Sequence, residues 1–391
     1  MSFTVGYCTN VHAGMDLPAI RKNLLQYAVP VQSSLPIDTP LGVGLWLPAQ
    51  AASECFDGGA KPLRHFLDEH RLEAFTINGF PYDNFHQDVV KHRVYQPAWW
   101  ESSRLTYTKQ LAVILTELLP QAQTVGSIST LPIGWASDKV TAEQLETAAE
   151  NLRQLAEFLA ALEEQTGRRI VVAIEPEPGC ILDTSQDIVE WFDKHLNKPM
   201  HRRHITVCHD VCHAAVMMEP QAEVLHRYAS AGITIGKVQV SSAIVAEWDA
   251  MSLGRRQEAI EQLSKFAEDR YLHQTGRITG DDKFELTEDL PDLLSRAPRS
   301  GDPACGDKRW VVHFHVPIFL ERFGHLTTSQ DEVRDCLRTL LDSDSPIDFT
   351  GHLEVETYAW TVLPDAMRKR SLAQDISEEI RWLRRELIDC I

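Results

Sequence analysis

Acidic and imidazole side chains recur where apolar segments of this sequence end. Five short segments carry them: Ile174–Pro178, His209–His213, Lys237–Gln239, His313–His315 and His352–Glu356. A bare carboxylate is costly to bury, so carboxylates at the ends of buried segments need compensating partners. A mixture of carboxylate oxygens and imidazole nitrogens suits Zn²⁺, Mn²⁺, Fe²⁺ or Co²⁺ better than Ca²⁺, which prefers oxygen ligands alone. The segments therefore predict a site for one or more divalent metal ions.

Each segment has a simpler explanation when it is taken alone. Glu175 and Glu177 alternate along the chain, as acidic residues at a solvated sheet edge do. Most His-x-His pairs, such as the one in His313–His315, bind no metal. Glu354 and Glu356 would also fit ordinary ion pairs with arginine. The joint occurrence of five such segments is what favours a metal site.

Other motifs are weaker indications of chemistry. Asn78–His86 mixes turn-forming residues with aromatic rings, which would stack on a sugar ring or simply plug the mouth of the fold, and His12 follows the first apolar run. Gly126–Thr130 lacks the Gly-Lys-Ser/Thr ending of a phosphate-binding loop. The sequence has no GxSxG elbow and no GxGxxG turn after a strand, which disfavours hydrolase triads and dinucleotide-binding folds.

Apolar or β-branched runs alternate with helix-period segments along most of the chain. The eight runs are Phe3–Asn10, Pro40–Leu47, Glu73–Phe80, Thr124–Leu131, Ile170–Glu177, Ile205–His213, Ile233–Ser242 and His352–Trp360. Helices are predicted at Arg104–Leu119, Ala142–Thr166, Ser185–Leu196, Gln330–Leu341 and Ala373–Ile388. Strands that alternate with helices pair in parallel. Eight such units predict an α/β fold of the (β/α)8 barrel type rather than a doubly wound sheet. The C-terminal strand ends of a barrel would bring the polar segments together at one mouth.

Two stretches are predicted to be loop insertions. Phe80–Glu101 is rich in aromatic residues and histidine, and Asp281–Arg309 carries prolines and many charges. A ninth apolar run, Trp310–Phe319, lies between the last two of the eight. Because neither insertion has the composition of a long flexible linker, we predict a single domain over residues 1–391, with an insertion around residues 244–310 before the last strand.

Charge and composition restrict the expected partners. The 391 residues include 38 basic and 56 acidic ones, a net charge of −18 with histidine neutral. Nucleic acid and anionic membrane surfaces are therefore disfavoured. No apolar run reaches the ~20 residues of a membrane span, and the N-terminal residues are typical of a strand rather than a signal peptide. The 8 cysteines are too sparse for a disulfide scaffold. We expect a cytoplasmic protein that acts on a small molecule.

The longer motifs resemble the EboE family, a metabolite-traffic family of the ebo gene cluster. They are, in chain order, GYCTNVHAG, NGFPYDNFH, VKHRVYQPAWW, GSISTLPIG, IEPEPGC, DVCHAAV, KVQVSSA, YLHQ, HFHVPIF and HLEVETYAW. The match runs from Gly6 to about Trp382. The family belongs to the xylose isomerase-like, or sugar phosphate isomerase/epimerase, barrels. The resemblance implies a metal-dependent isomerase or epimerase that acts on a small polyhydroxylated metabolite, with partner proteins from the same gene cluster.

The resemblance also implies a ligand set. In the wider superfamily the metal is typically held by a Glu, an Asp, a His and a Glu on the fifth to eighth strands. The matching residues here are Glu175, Asp210, Gln239 and Glu356. Glu354 competes with Glu356 for the last position, and Gln239 replaces the usual histidine. Either the metal is bound less tightly, or His313 or His315 supplies the missing nitrogen. The His-x-His pair is similar to the extra ligand pair of endonuclease IV.

Catalytic roles follow from the same resemblance. In the 3-epimerase pattern Glu175 and Glu356 form the acid/base pair, and His213 and Lys237 would hold substrate oxygens. Substrate contacts are expected from His12, Asn78, His86, Glu177, His213 and Glu354. Two alternatives stay open, namely a metal-dependent phosphoester hydrolase of the endonuclease IV type and a non-catalytic metabolite-binding protein. The hydrolase would need two or three metal ions.

Overall fold

A closed barrel of eight parallel strands forms the centre of the molecule. The computed structural model describes residues 3–36, 39–137, 139–296, 298, 301–364, 367–368 and 370–390. Its strands are β1 (Thr4–Cys8), β2 (Leu41–Trp46), β3 (Leu72–Asn78), β4 (Val125–Thr130), β5 (Arg169–Ile174), β6 (Ile205–Asp210), β7 (Ile235–Val240), β8 (Ile244–Glu247), β9 (Thr275–Ile278), β10 (Phe284–Thr287), β11 (Arg309–Val312), β12 (Arg322–Phe323), β13 (Leu326–Thr328) and β14 (His352–Val355). The barrel order is β1-β14-β7-β6-β5-β4-β3-β2, with β2 paired to β1. Each of the eight predicted runs overlaps one barrel strand, with β3 and β5 starting one residue earlier than predicted, so the predicted barrel is confirmed.

Helices surround the barrel and cover the apolar outer faces of its strands. They are α1 (Leu17–Asn23), α2 (Val29–Ser33), α3 (Ala49–Glu54), α4 (Ala60–Glu69), α5 (Ser102–Leu118), α6 (Ala142–Thr166), α7 (Ser185–His195), α8 (Pro199–His204), α9 (Val211–Val216), α10 (Gln221–Ser230), α11 (Leu253–Leu263), α12 (Leu290–Leu294), α13 (Gln330–Leu341) and α14 (Leu372–Asp389). The Thr184 hydroxyl accepts a hydrogen bond from Asp187 N (3.2 Å) and caps α7, as its position predicts. Among the described residues, every helix is too short or too polar to span a bilayer.

The segment between β7 and β14 builds a second, antiparallel sheet. Its strand order is β10-β9-β11-β8-β13-β12. The strands extend from Ile244 to Thr328, past residue 310. The ninth apolar run starts in this sheet, because β11 pairs with β8 and β9 rather than with a barrel strand. A single domain for the whole chain stays a prediction.

Polar side chains occupy part of the barrel interior. Alternate residues of a strand face the same side of a sheet, so Lys237 and Gln239 of β7 share a face, as do His352 and Glu354 of β14. The Lys237 ammonium contacts the Glu354 carboxylate, and both side chains are fully buried. Each charge of the pair therefore offsets part of the cost of burying the other, whereas a single buried charge would have no such partner.

Gly44 of β2 provides the space that the Glu354 carboxylate occupies. A Cβ atom built on Gly44 would lie 1.2 Å from Glu354 Oε1. Any larger residue at this position must therefore displace the carboxylate from its lysine partner.

We predict that Gly44→Ala lowers the free energy of unfolding by about 1–3 kcal/mol, because the methyl group overpacks a filled interior. Chemical denaturation measures the change. Gly254→Ala is the control, since no atom lies within 4 Å of the Cβ built there, and alanine favours the helix. Equal stabilities of the two variants would contradict this account of the interior.

Candidate metal centre at the barrel mouth

Three carboxylates from separate barrel strands meet at the C-terminal mouth. Glu175 follows β5, Asp210 ends β6 and Glu356 follows β14. One oxygen from each lies within 4.8 Å of the others, and all three side chains are buried. The strands that carry Glu175 and Glu356 flank β6 and β7 in the barrel order, so Asp210 lies between the two glutamates.

Asp210 is placed by the start of a helix. Its Oδ1 accepts hydrogen bonds from His213 N (2.9 Å) and Ser241 Oγ (2.7 Å). This contact caps α9, so the predicted run Ile205–His213 is a strand only as far as Asp210, and His213 lies on the first turn of a helix. The second oxygen, Oδ2, is left without a hydrogen-bond partner among the described residues.

The inserted sheet delivers two imidazoles to this cluster. His315 follows β11, and its Nδ1 bonds the Glu356 backbone oxygen at 2.9 Å. A donating Nδ1–H leaves the neutral Nε2 free to bind a metal. This Nε2 lies 3.9 Å from Asp210 Oδ2. His315 therefore supplies a nitrogen next to the carboxylates.

His313 is oriented in the same way by the insertion itself. Its Nδ1 bonds Gln274 Oε1 at 2.9 Å, and its backbone N donates to Gln274 O at 2.8 Å. Burial lowers the pKa of His313 well below its usual value, and burial also lowers the pKa of His315, to about 4. Both rings are neutral at physiological pH, the form that ligates a metal.

His213 is a third imidazole of the cluster, and its neighbouring carboxylates favour its protonated form. Its Nδ1 bonds Pro176 O at 2.7 Å, and its Nε2 lies 3.1 Å from Glu177 Oε2. Burial alone would lower the pKa of His213, but Asp210, Glu177 and Glu175 outweigh it and raise this pKa to about 9.

Burial favours the protonated form of the glutamates at the mouth. It raises the pKa of Glu175 to about 8, against the opposing effect of His213. Burial also raises the pKa of Glu356 well above its ordinary value, and the nearby Glu175 and Asp210 add to the shift. Like charges this close disfavour joint ionisation. A divalent cation would reverse these shifts by stabilising the ionised forms.

A second group of ligand-type atoms adjoins the first. Glu177, His213 and His313 each offer one atom, and these lie within 4.8 Å of one another. Glu177 Oε1 accepts hydrogen bonds from Tyr95 Oη (2.9 Å) and Gln274 Nε2 (3.2 Å). Cys212 also lies near the two histidines of the insertion, but burial raises the pKa of its thiol well above the usual range. In the metal-free protein this shift favours the protonated thiol, which is not the form that ligates a metal.

Unpaired atoms test whether the cluster suits a metal. Glu175 Oε2, Asp210 Oδ2, His313 Nε2 and His315 Nε2 are buried and have no hydrogen-bond partner among the described residues. Buried polar atoms in native proteins are nearly always satisfied. Ligation to a divalent cation would satisfy them, so the donor set fits the group that the resemblance implies.

Glu356, not Glu354, lies with the other carboxylates. Its Oε1 accepts hydrogen bonds from Asn10 Nδ2 (2.6 Å) and Asn78 Nδ2 (3.0 Å), which leaves Oε2 for other partners. The barrel mouth contains a cavity, which is lined by Asn78 together with Glu175, His213, His315 and Glu356. Asn78 was expected to contact substrate, and its amide nitrogen donates to Glu356. Asn10 escaped the sequence analysis because a single asparagine after a strand resembles a turn residue.

Four residues that were expected to contact substrate contact other protein groups in the structure. Lys237 and Glu354 pair with each other in the barrel interior, and neither lines the cavity described at the mouth. The ring of His12 stacks on Tyr27 (centroids 4.4 Å apart). His86 bonds the Asn10 backbone oxygen through Nε2 (2.7 Å) and so holds the segment that carries Asn10.

Gln239 stays a predicted ligand. Its side chain is fully buried, and both amide atoms lack hydrogen-bond partners among the described residues. In the barrel register it lies between Asp210 and Glu354. The Gln239 side chain therefore lies on the interior face of β7, as the alternation along the strand indicates.

Glu379 of α14 joins the two segments that carry His315 and Glu356. Its Oε1 accepts hydrogen bonds from Ile318 N (3.1 Å) and Thr357 Oγ1 (2.6 Å). Burial raises the pKa of Glu379 to about 7, and these two hydrogen bonds oppose the shift.

We predict that Asp210→Asn weakens binding of Zn²⁺ by at least about 100-fold, because it removes a charged ligand from the centre of the cluster. Competition with a chromophoric chelator measures the affinity of the chelator-stripped protein. Asp193→Asn, an exposed aspartate paired with Arg202, is the matched control. Unchanged affinity in Asp210→Asn would place the metal elsewhere.

We predict that Glu379→Gln stabilises the protein at pH 8 but not below pH 4.5. The unfolded carboxyl loses its proton near pH 4.5 and the folded one near pH 7, so the stability of the wild type falls across this window by about 3 kcal/mol. Glutamine accepts the same two hydrogen bonds and carries no charge. Urea denaturation at both pH values measures the effect, with the more exposed Glu378→Gln as control. An equal effect of Glu379→Gln at both values would be the contrary result.

The comparisons with known proteins agree with this architecture. A family model described as the xylose isomerase-like TIM barrel matches residues 46–273. The search of curated proteins found no match. Among solved structures, a xylose isomerase-like TIM barrel protein from Mycobacterium smegmatis in complex with magnesium is 10% identical, with a TM-score of 0.55 over 100% of this chain and 98% of that chain.

Two further structures show a similar fold. A D-tagatose 3-epimerase-like protein is 12% identical, with a TM-score of 0.50 over 99% of this chain and 98% of that chain. A xylose isomerase domain protein from Planctomyces limnophilus is 12% identical, with a TM-score of 0.50 over 99% and 97% of the two chains. At such identities the likeness concerns the fold alone. The family match, which covers more than half of the chain, shows that this protein belongs to the xylose isomerase-like TIM barrels.

Proposed function

We propose that this protein is a divalent-metal-dependent isomerase or epimerase of a small polyhydroxylated metabolite. The observation that carries the proposal is the group of buried, unpaired carboxylate and imidazole atoms at the C-terminal mouth. Enzymes with this fold place their chemistry at that end of the barrel. Glu175, Asp210, His315 and Glu356 are the proposed metal ligands, with His315 in place of the histidine that β7 lacks and Gln239 as a weaker additional donor.

A divalent metal bound by these residues would act as a Lewis acid on a substrate carbonyl oxygen. Glu175 Oε2 has no hydrogen-bond partner among the described residues. We propose that one oxygen of the Glu175 carboxylate ligates the metal and that the other is the base that removes the proton from the neighbouring carbon. Glu356 is anchored through Oε1 by Asn10 and Asn78, so Oε2 is the atom that would return a proton. The pKa of each carboxyl is raised mainly by burial. A bound cation would oppose this effect of burial, so that both carboxyls could exchange protons near neutral pH.

His213 is proposed to bind a substrate oxygen. Pro176 O fixes its Nδ1. Its Nε2 lies next to Glu177, and both side chains line the cavity. The raised pKa of His213 keeps a proton available on this ring. The ring can therefore donate a hydrogen bond to a hydroxyl or an enolate oxygen.

Phosphoester hydrolysis is the second proposal, and one observation favours it. The group Glu177, His213 and His313 lies beside the first cluster, so the mouth has ligand atoms for a second ion. Two ions would clamp the attacking and leaving oxygens of a phosphoester. The number of bound ions separates the two activities.

The EboE resemblance supports a finer proposal about cellular role. It suggests that the metabolite belongs to an ebo-type pathway, that partners come from the same gene cluster, and that the protein acts in the cytoplasm. A binding protein without catalysis is the remaining alternative, and proton exchange tests it.

We predict that the metal-loaded protein exchanges deuterium from D₂O into a carbon next to the carbonyl of at least one ketose or keto-cyclitol. Glu175→Gln and Glu356→Gln should each slow this exchange by about 10²–10⁴-fold, the usual contribution of general acid/base catalysis. Proton NMR measures the rate, and elemental analysis counts the ions. Glu163→Gln, a surface residue that pairs with Arg203, is the control.

Exchange that persists in both glutamine variants would refute the assigned roles. Two or three ions per chain, together with release of phosphate from p-nitrophenyl phosphate and no exchange, would favour the hydrolase. Bound metal with neither activity would favour the binding protein.

A further inference from the structure

The cavity above the carboxylate cluster has a largely apolar lining. Beside the ligand-type residues, it is lined by Phe80, Phe85, Val90, Val94, Tyr271 and Leu272. These side chains come from the loop after β3 and from the inserted segment before β9. Tyr358 connects them to the cluster, because its ring lies 5.4 Å from that of Phe85 and 4.6 Å from that of His315, measured between centroids.

The hydroxyls of two tyrosines in this wall, Tyr271 and Tyr95, are hydrogen-bonded to other protein groups. Tyr271 Oη donates to Phe85 O (3.1 Å), and Tyr95 Oη donates to Glu177 Oε1 (2.9 Å). The backbone N atoms of Val90 and Lys91 both donate to Arg270 O. These bonds fasten the loop to the insertion. At Tyr271, Tyr95, Val90 and Lys91 these polar atoms therefore bond other protein groups, and the side chains of Phe80, Phe85, Val90, Val94 and Leu272 present carbon to the cavity.

The same cavity is poor in cationic side chains that could pair with a substrate anion. Lys91 is the one lysine or arginine among the described lining residues, and its Nζ lies 2.8 Å from Asp289 Oδ2. Glu175, Glu177 and Glu356 line the cavity as well. His213 also lines the cavity, but its Nε2 is paired with Glu177 Oε2 at 3.1 Å. A phosphate or carboxylate on the substrate would therefore meet these acids without a free cationic side chain, and sites for such groups normally provide one.

We propose that the polyhydroxylated substrate of this site is an uncharged hydroxyketone that carries an apolar, aromatic substituent, rather than a phosphate. The hydroxyketone end would lie at the carboxylates and imidazoles, and the aromatic group against the loop and the insertion. This inference rests on the proposed function. Aromatic residues also stack on sugar rings, but Val90, Val94 and Leu272 are aliphatic and favour a group without hydroxyls.

A matched set of three ligands tests the inference. Hydroxyacetone, 2-hydroxyacetophenone and dihydroxyacetone phosphate share the hydroxyketone end and differ in carrying a methyl, a phenyl or a phosphate group. Calorimetric titration of the zinc-loaded and metal-free protein gives their affinities. We expect the phenyl compound to bind the zinc-loaded protein at least about tenfold more tightly than the methyl compound, from the apolar area buried, and the phosphate compound to bind most weakly.

Equal affinity for the methyl and phenyl compounds would overturn the inference and leave the proposed function intact. So would tighter binding of the phosphate compound that Lys91→Met abolishes. If none of the three shows zinc-dependent binding, the proposed function fails, and the inference fails with it.

A near-isosteric change in the wall provides the second test. Val94→Thr replaces a methyl group by a hydroxyl at a half-buried position of the lining. It should reduce the affinity for 2-hydroxyacetophenone several-fold and leave that for hydroxyacetone unchanged. Val189→Thr, a partly buried valine of α7, is the matched control. The same loss in both variants, or a loss for both ligands, would contradict the proposed position of the aromatic group.

Discussion

Uncompensated negative charge at the barrel mouth is the constraint on which the rest of this structure depends. Glu175, Glu177, Asp210 and Glu356 are buried within one small volume. The fully buried lysine of the barrel, Lys237, is engaged by Glu354. Within the described residues, the recorded ion pairs of the four acids at the mouth are with histidines. Such acids must bind protons or a cation, because ionised carboxylates are costly to bury unpaired.

The surrounding elements hold this cluster in place without neutralising it. Amide groups of Asn10 and Asn78 anchor Glu356, and backbone oxygens orient His213 and His315. Gln274 orients His313 from the inserted sheet. In His313 and His315 such a contact uses one ring nitrogen, and the other has no hydrogen-bond partner among the described residues. This arrangement is typical of the groups that orient metal ligands, and it accounts for the unpaired atoms better than a purely structural role does.

The barrel and the meeting of distant acids were predictable, because both follow from local pattern. Strand and helix periods appear in short windows, and parallel strands bring their C-terminal ends to one edge. The depth of a side chain was not predictable in this way. Alternation places Glu354 and Glu356 on the same face but does not say which reaches the mouth; that depends on Gly44 and Lys237, far away in sequence.

The surroundings of His12 and Lys237 were not predictable for the same reason, and their contact with substrate stays a prediction. A histidine beside a strand end has the right chemistry, yet Tyr27 of the flanking helical segment takes up the His12 ring. Asn10 and Gln274 were missed because amides give no signal of their own in a single sequence. The inserted sheet, which brings His313 and His315 to the barrel, pairs strands through long-range contacts that sequence periodicity does not encode.

Anomalous diffraction from crystals grown with Zn²⁺ would test the central claim most directly. The account predicts a strong peak at the zinc edge bounded by Glu175, Asp210, His315 and Glu356. A mouth without a peak in zinc-saturated crystals, with the four side chains instead bonded to one another through shared protons, would contradict it.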